Sequence, residues 1–262
     1  MTWHRLPAAP RMIVHRESGR SAVVVRSLAG TSDWRRAVLD RFATGVLGLA
    51  GARALAPAEW PPWPPGDWYE LEAELRRHVP GLRIDGAVVP RQRDRTRLSL
   101  IGRMAGNHVV VKLGQPQDGL EVESRVLDEL ARNPLPGIAT PDLLGTGTLT
   151  TGGHEIAFVA TTAIAVRNQR PAIDEPLRTF ESDLAERLHV LPHVTGEESR
   201  RTEDLVPVHG DLTPWNLRRT PRGLALFDWE SAGWGPPGSD LALYRRSCDE
   251  VRRPWTRQRS SR

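Results

Sequence analysis

The sequence predicts an α+β protein in two lobes, the first built on antiparallel strands and the second mainly helical. Three observations predict it. Short β-rich runs separated by polar turns fill the stretch 86–161, with one helical stretch between them. From Leu177 onward apolar residues recur at helical spacing, with Phe180, Leu184 and Leu188 on the same face. Between 206 and 227 a β segment and a hairpin enclose a loop dense in Asp, Asn and His. The expected division is an extension and linker over 1–69, a first lobe over 70–163 and a second over 164–262.

Taken in order, residues 1–56 carry no recognisable chemistry and read as an extension packed on the first lobe. Strands are expected at 12–14 and 22–26. A helix is expected over 33–49, from the spacing of Trp34, Val38, Phe42 and Val46 after Ser32 as N-cap. The stretch 56–67 is proline-rich and forbids helix, so it reads as a semi-rigid linker, with Trp60 and Trp63 pinning it to the core. Trp68, Leu71, Leu75 and His78 then mark one face of a short helix that stops at Pro80-Gly81. Strands follow at 87–89, 98–103 and 108–113. A helix over 118–132 turns Leu120, Val126, Leu127 and Leu130 inward. The runs 143–150 and 155–161 form a hairpin about Gly152-Gly153, and its second strand continues into an interlobe hinge near 159–164. After a loop at 167–176 comes the helix of Leu177 to Leu188. The segments 217–219 and 224–227 pair through a turn made by Pro221 and Gly223.

Composition narrows the function. The net charge is +4 with a pI near 10.1, yet the arginines are scattered among 32 acidic residues, which argues against a nucleic-acid partner. Cys248 is the single cysteine, so there is no disulfide framework and a reducing compartment is expected. No apolar run approaches the ~18 residues of a membrane span, and the expectation is a cytoplasmic protein without a membrane partner. Lys112 is the only lysine beside a large number of arginines. A chain that writes arginine wherever a positive charge will do keeps an ammonium here, in a Val-Val-Val-Lys strand. That suggests a compact cation reaching nucleotide phosphates, where a guanidinium fork does not fit.

The chemistry concentrates between 206 and 242. The 217–227 hairpin folds Asp228 back beside Asn216, and the loop from His209 presents Asp211, Asn216 and Asp228 towards one point. Oxygen ligands of this kind suit a hard cation such as Mg²⁺, with Asp211 free to take a proton.

The run His209-Gly210-Asp211 with Asn216, then Phe227-Asp228-Trp229-Glu230, then Gly238-Ser239-Asp240-Leu241-Ala242, resembles the core of the aminoglycoside phosphotransferase family, which is related to choline kinases. The resemblance implies a protein-kinase-like fold and transfer of the γ-phosphoryl group of ATP, with GTP left open, to a small-molecule hydroxyl. It implies Asp211 as catalytic base, Asn216 and Asp228 as Mg²⁺ ligands, and Glu123 as the partner that holds Lys112 against the phosphates. His209 and Asp240 would brace the loop. Trp215 either lines the acceptor pocket or packs under the loop, and Glu230 would act on the metal through water. The chain departs from the family in two places. The connection expected to cover the phosphates has no glycine between Arg91 and Arg97. The second lobe also reads as short, with a basic, disordered tail from about 247. Both departures keep a second reading open, that of a nucleotide-binding pseudoenzyme acting as a binding module.

Overall fold

The computed structural model of the chain describes residues 3–6, 9–15, 57–58, 63–64, 67–88, 97–166, 177, 179–188 and 205–252. The expected α+β arrangement is present, with two hydrophobic cores. Its first lobe is an eight-stranded sheet in the order β3-β1-β2-β4-β5-β6-β9-β8. The strands are β1 (Trp3–Leu6), β2 (Ala9–His15), β3 (Pro57–Ala58), β4 (Arg83–Val88), β5 (Leu98–Met104), β6 (Asn107–Gly114), β8 (Leu143–Thr151) and β9 (His154–Thr162). Every pairing within it is antiparallel. Strand β6 lies between β5 and β9, and its alternation buries Val109, Val111 and Leu113 on one face while Lys112 leaves by the other.

Two expectations for the amino-terminal part change. The extension does more than pack on the lobe, because β2 pairs with β4 and continues the sheet. The proline-rich stretch contributes β3 to its edge, where the missing N–H of a proline is tolerated. The expected strand at 22–26 and helix at 33–49 lie outside the described residues, as do Trp60 and 167–176.

Helix α1 (Trp68–His78) starts at Asp67, whose side chain accepts from the Tyr69 N–H, and buries Trp68, Leu71 and Leu75 under the sheet. Its inward stripe ends in Val79 rather than in the exposed His78, whose ring lies instead against Phe158. Trp63 packs on the same cluster, as expected of a linker pin.

Helix α2 (Leu120–Arg132) follows β6 in sequence, yet Val126, Leu127 and Leu130 belong to the second core. There they meet Phe180, Leu184 and Leu188 of helix α3 (Phe180–Leu188) and Leu217, Leu226 and Trp229. The short β7 (Ile138–Ala139) runs parallel to β12 (Gly223–Leu226), which pairs with β11 (Leu217–Thr220). Strand β10 (Val206–Val208) pairs with β13 (Gly233–Gly235), which joins the start of the motif-bearing loop to the segment after Asp228.

The expected tail from about 247 begins too early, since 247–252 are helical, and 253–262 lie outside the described residues. Helix α4 runs from Ser239 to Arg252 without a break at 247, and Tyr244, Ser247 and Cys248 are buried. Tyr244 and Cys248 sit four residues apart, so they face one side of the helix and close the second core, while the arginines between them face water. Among the described residues no helix is long and apolar enough to cross a membrane.

Candidate active site

The site forms where β6 and α2 meet the turn after β12. Lys112 Nζ lies 2.8 and 2.7 Å from the two carboxylate oxygens of Glu123. It also donates to Asp228 and stands 3.2 Å from Glu230. Oxygens of Glu123, Asp228 and Glu230 lie within 4.8 Å of one another, so the ammonium is set among three carboxylates. Burial alone would lower the Lys112 pKa, but Glu123, Asp228 and Glu230 outweigh it and hold the group firmly protonated. The same burial pushes Glu123 and Glu230 up, whereas at Asp228 the ammonium overcomes burial and keeps the carboxyl ionised. Arg97 ties Glu230 from the far side and donates to the Asp118 carbonyl at 2.6 Å, joining the mouth of β5 to the second lobe.

Asp228 has φ of 69° and ψ of 61°, a left-handed conformation that Asp tolerates better than most residues. The backbone reverses there, and the carboxylate turns back towards Lys112. Asn216 is brought close by a backbone bond from the Phe227 N–H to the Asn216 carbonyl, 3.0 Å. Its side-chain amide donates at 2.9 Å to both the carbonyl and the carboxylate of Asp211. That leaves the Asn216 amide oxygen, together with the Asp228 carboxylate, as oxygen donors of the type a hard cation takes. Asp211 therefore stands hydrogen-bonded beside Asn216. Burial raises the Asp211 pKa against the lowering effect of that bond, and the Asp228 charge adds to the rise.

The loop is braced from below. Asp240 accepts from the His209 and Gly210 amides at 2.6 and 3.0 Å. Gly210 has φ of 79°, and a Cβ there would stand 2.1 Å from the Ser231 carbonyl oxygen, so the turn requires glycine. His209 is fully buried; its Nε2–H donates to the Phe227 carbonyl at 2.9 Å and its Nδ1 accepts from the Asp211 N–H at 3.2 Å. Burial lowers its pKa to about 4 and keeps the ring neutral, against the Phe227 bond and the Asp228 charge.

Beside this constellation lies a cleft of about 170 Å³. Lys112, Glu123 and Asp228 line one part, and Thr161, Thr162, Ala163 and Ile164 of the expected hinge line another. Trp215 is half exposed and lines the same cleft, so it does not pack under the loop. Two residues that reading the sequence missed belong here. Arg97 sits in a polar run whose composition gives no phase. Arg218 sits in the strand after Asn216, where the pattern Leu-Arg-Arg-Thr gave no reason to look for a cation in a cleft.

Residues 167–260 match the sequence model of the phosphotransferase enzyme family. That span carries the motifs at 209–216, 227–230 and 238–242, so the resemblance drawn from them stands; Lys112 and Glu123 lie outside it. A comparison with curated proteins gives no match. Among solved structures the chain is similar to an aminoglycoside-3'-phosphotransferase of type VIII, at 21% identity over 68% of this chain and 83% of that one, TM-score 0.41. It is similar to an amicoumacin kinase at 11% identity over 69% of each chain, TM-score 0.45. A spectinomycin phosphotransferase aligns at 13% identity over 71% of this chain and 79% of that one, TM-score 0.42.

Proposed function

We propose, starting from the phosphotransferase character of residues 167–260, that this chain transfers the γ-phosphoryl group of a nucleoside triphosphate to the hydroxyl of a small molecule. The observation that carries the reading is the convergence of Lys112 and Glu123 from one lobe on Asp228 from the other, at a cleft bounded by the hinge. Phosphoryl transfer asks a protein mostly for positioning and charge neutralisation, and these groups supply both.

In this reading Lys112, fixed by Glu123, meets phosphate oxygens. Asn216 and Asp228 would hold Mg²⁺, which supplies neutralisation of the phosphate charge when bound. Asp211, held by Asn216, orients the acceptor hydroxyl and accepts its proton. The acceptor oxygen bonds to the γ-phosphorus as the bond to the bridging oxygen breaks, and the nucleoside diphosphate leaves with that electron pair. A raised pKa makes a carboxylate a better proton acceptor, which suits Asp211 to the task. His209 and Asp240 act on the loop that carries it. The acceptor is a small-molecule alcohol, aminoglycoside-like sugars included, in a cytoplasmic setting.

The two aspartates separate an enzyme from a binding module. Thermal stabilisation by nucleotide and magnesium should lose its magnesium-dependent part in Asp228→Ala, and a ligand at ~100 times its Kd makes about 2.7 kcal/mol visible. Asp211→Asn should keep that stabilisation while acceptor-dependent turnover falls by about 10² or more. Nucleotide stabilisation with no acceptor-dependent turnover would mark the pseudoenzyme. No response to any nucleotide would end both readings.

A further inference from the structure

The cleft holds two cations in opposite circumstances. Lys112 stands among three carboxylates. Arg218 lines the same cleft with Thr161, Thr162 and Trp215 and has no acidic partner among the described residues. Its Nη1 reaches only the Trp215 carbonyl, at 3.5 Å, and its Nε and Nη2 are buried without an acceptor. Burial with no compensating charge lowers its pKa, though a guanidinium stays charged. Nε–H and one N–H of Nη2 lie parallel on one edge of the guanidinium plane, so the unpaired groups form a two-pronged donor. Buried donors are nearly always paired, and leaving a charged pair unpaired is costly. A donor pair left over beside a binding cleft therefore points to an acceptor that arrives with the ligand.

Resting on the nucleotide reading above, we propose that Arg218 selects the base, and that the cleft prefers a guanine nucleotide to an adenine nucleotide. Guanine offers O6 and N7 as adjacent acceptors, which a guanidinium meets bidentately; adenine offers N7 beside an amino donor, which sets donor against donor at one prong. The surrounding lining suits a flat ring, with Val110 and Phe227 as apolar surface and the half-exposed Trp215 at the edge. Because Nε and Nη2 are shielded, the terminal torsions of Arg218 turn towards the base on binding. The unpaired donors are thereby exchanged for paired ones.

The test compares binding of GTP, ITP and ATP, each with magnesium and without an acceptor, to the wild-type chain, R218L and R218K, by calorimetry and thermal stabilisation. ITP keeps O6 and N7 and lacks only the 2-amino group. GTP and ITP should bind the wild type alike, at least about tenfold more tightly than ATP. R218L removes the fork, and R218K keeps the charge without it, so either should bring the three affinities to within about threefold of one another. R218L should also melt higher than wild type without nucleotide, since an unpaired buried charge is gone; should it fail to fold, R218K and the ITP arm decide. Equal wild-type affinity for ATP and GTP overturns the proposal, as does a preference that survives both substitutions. Weak ITP beside tight GTP also overturns it, by placing selection at the 2-amino group. ATP binding without guanine preference defeats this inference alone, whereas a wild type that binds no nucleotide defeats the nucleotide reading with it.

Discussion

Acidification should weaken the chain through one buried ring, and His209→Gln should remove the effect. In the fold both ring nitrogens of His209 are engaged in the neutral form: Nε2–H donates to Phe227 and Nδ1 accepts from Asp211. The ring lies 4.5 Å from the Trp229 ring, and no part of the side chain reaches water. Its pKa falls from 6.5 to about 4. A gap of roughly 2.5 units is worth about 3 kcal/mol between fully neutral and fully charged conditions. The folded pKa is depressed, so the unfolded chain takes up the proton first. The stability is whole above about pH 6.5 and is lost as pH falls from there through about 4. At about pH 4.5 the loss should reach about 2.5 kcal/mol. Carboxyls with raised pKa values, such as Glu123 and Asp240, act in the opposite direction, so the wild-type curve alone decides nothing. The informative quantity is the wild-type minus His209→Gln difference in unfolding free energy, from urea melts between about pH 7.5 and 4.5. It should be flat at the upper end and narrow by about 2.5 kcal/mol at the lower end. A difference independent of pH, or one that widens in acid, would refute the assignment of a neutral, buried imidazole.

Three further outcomes follow from the structure. Lys112→Met leaves Glu123, Asp228 and Glu230 facing one another with only Arg97, on Glu230, as a counter-charge, and denaturant melts at neutral pH should show a loss of about 3 kcal/mol, part of it recovered in acid. Lys112→Arg keeps the charge in a larger, differently aimed group, so turnover should fall strongly; wild-type turnover would remove Lys112 from the phosphates. Ending the chain after Arg246 takes away Ser247 and Cys248, both buried, and should cost about 2 kcal/mol or more in a thermal melt, whereas an unchanged melt would return the segment to a loose tail.

The grouping of the second lobe's candidate residues was legible because they are local. His209, Asp211 and Asn216 fall within one loop, and the hairpin that returns Asp228 is set by a turn the sequence spells out. The place of Lys112 at the cleft was legible for a different reason, a lone lysine where the composition otherwise writes arginine. What reading missed depends on distant partners. Nothing near Arg97 announces Glu230, 133 residues away. Nothing near Arg218 announces that its guanidinium will be desolvated, since an arginine on a strand usually faces water. The end of α4 did carry a signal, the spacing of Tyr244 and Cys248, but the arginines around them obscure it. The entry of β2 into the sheet carried none, because register between strands far apart in sequence is a property of the assembled sheet.

Helix α2 is rooted in one body and bonded to another. Its Val126, Leu127 and Leu130 are set in the core of the second lobe, while Glu123, on the same rod, grips a lysine of the first-lobe sheet. A swing of the sheet away from the second core cannot leave both attachments whole. The packed apolar face is the harder to part, so the carboxylate–ammonium grip yields first. The grip and the opening of the cleft are thus a single mechanical coordinate. Whatever shuts the cleft should therefore also seat the ammonium, which ties the proposed phosphate-binding role of Lys112 to closure.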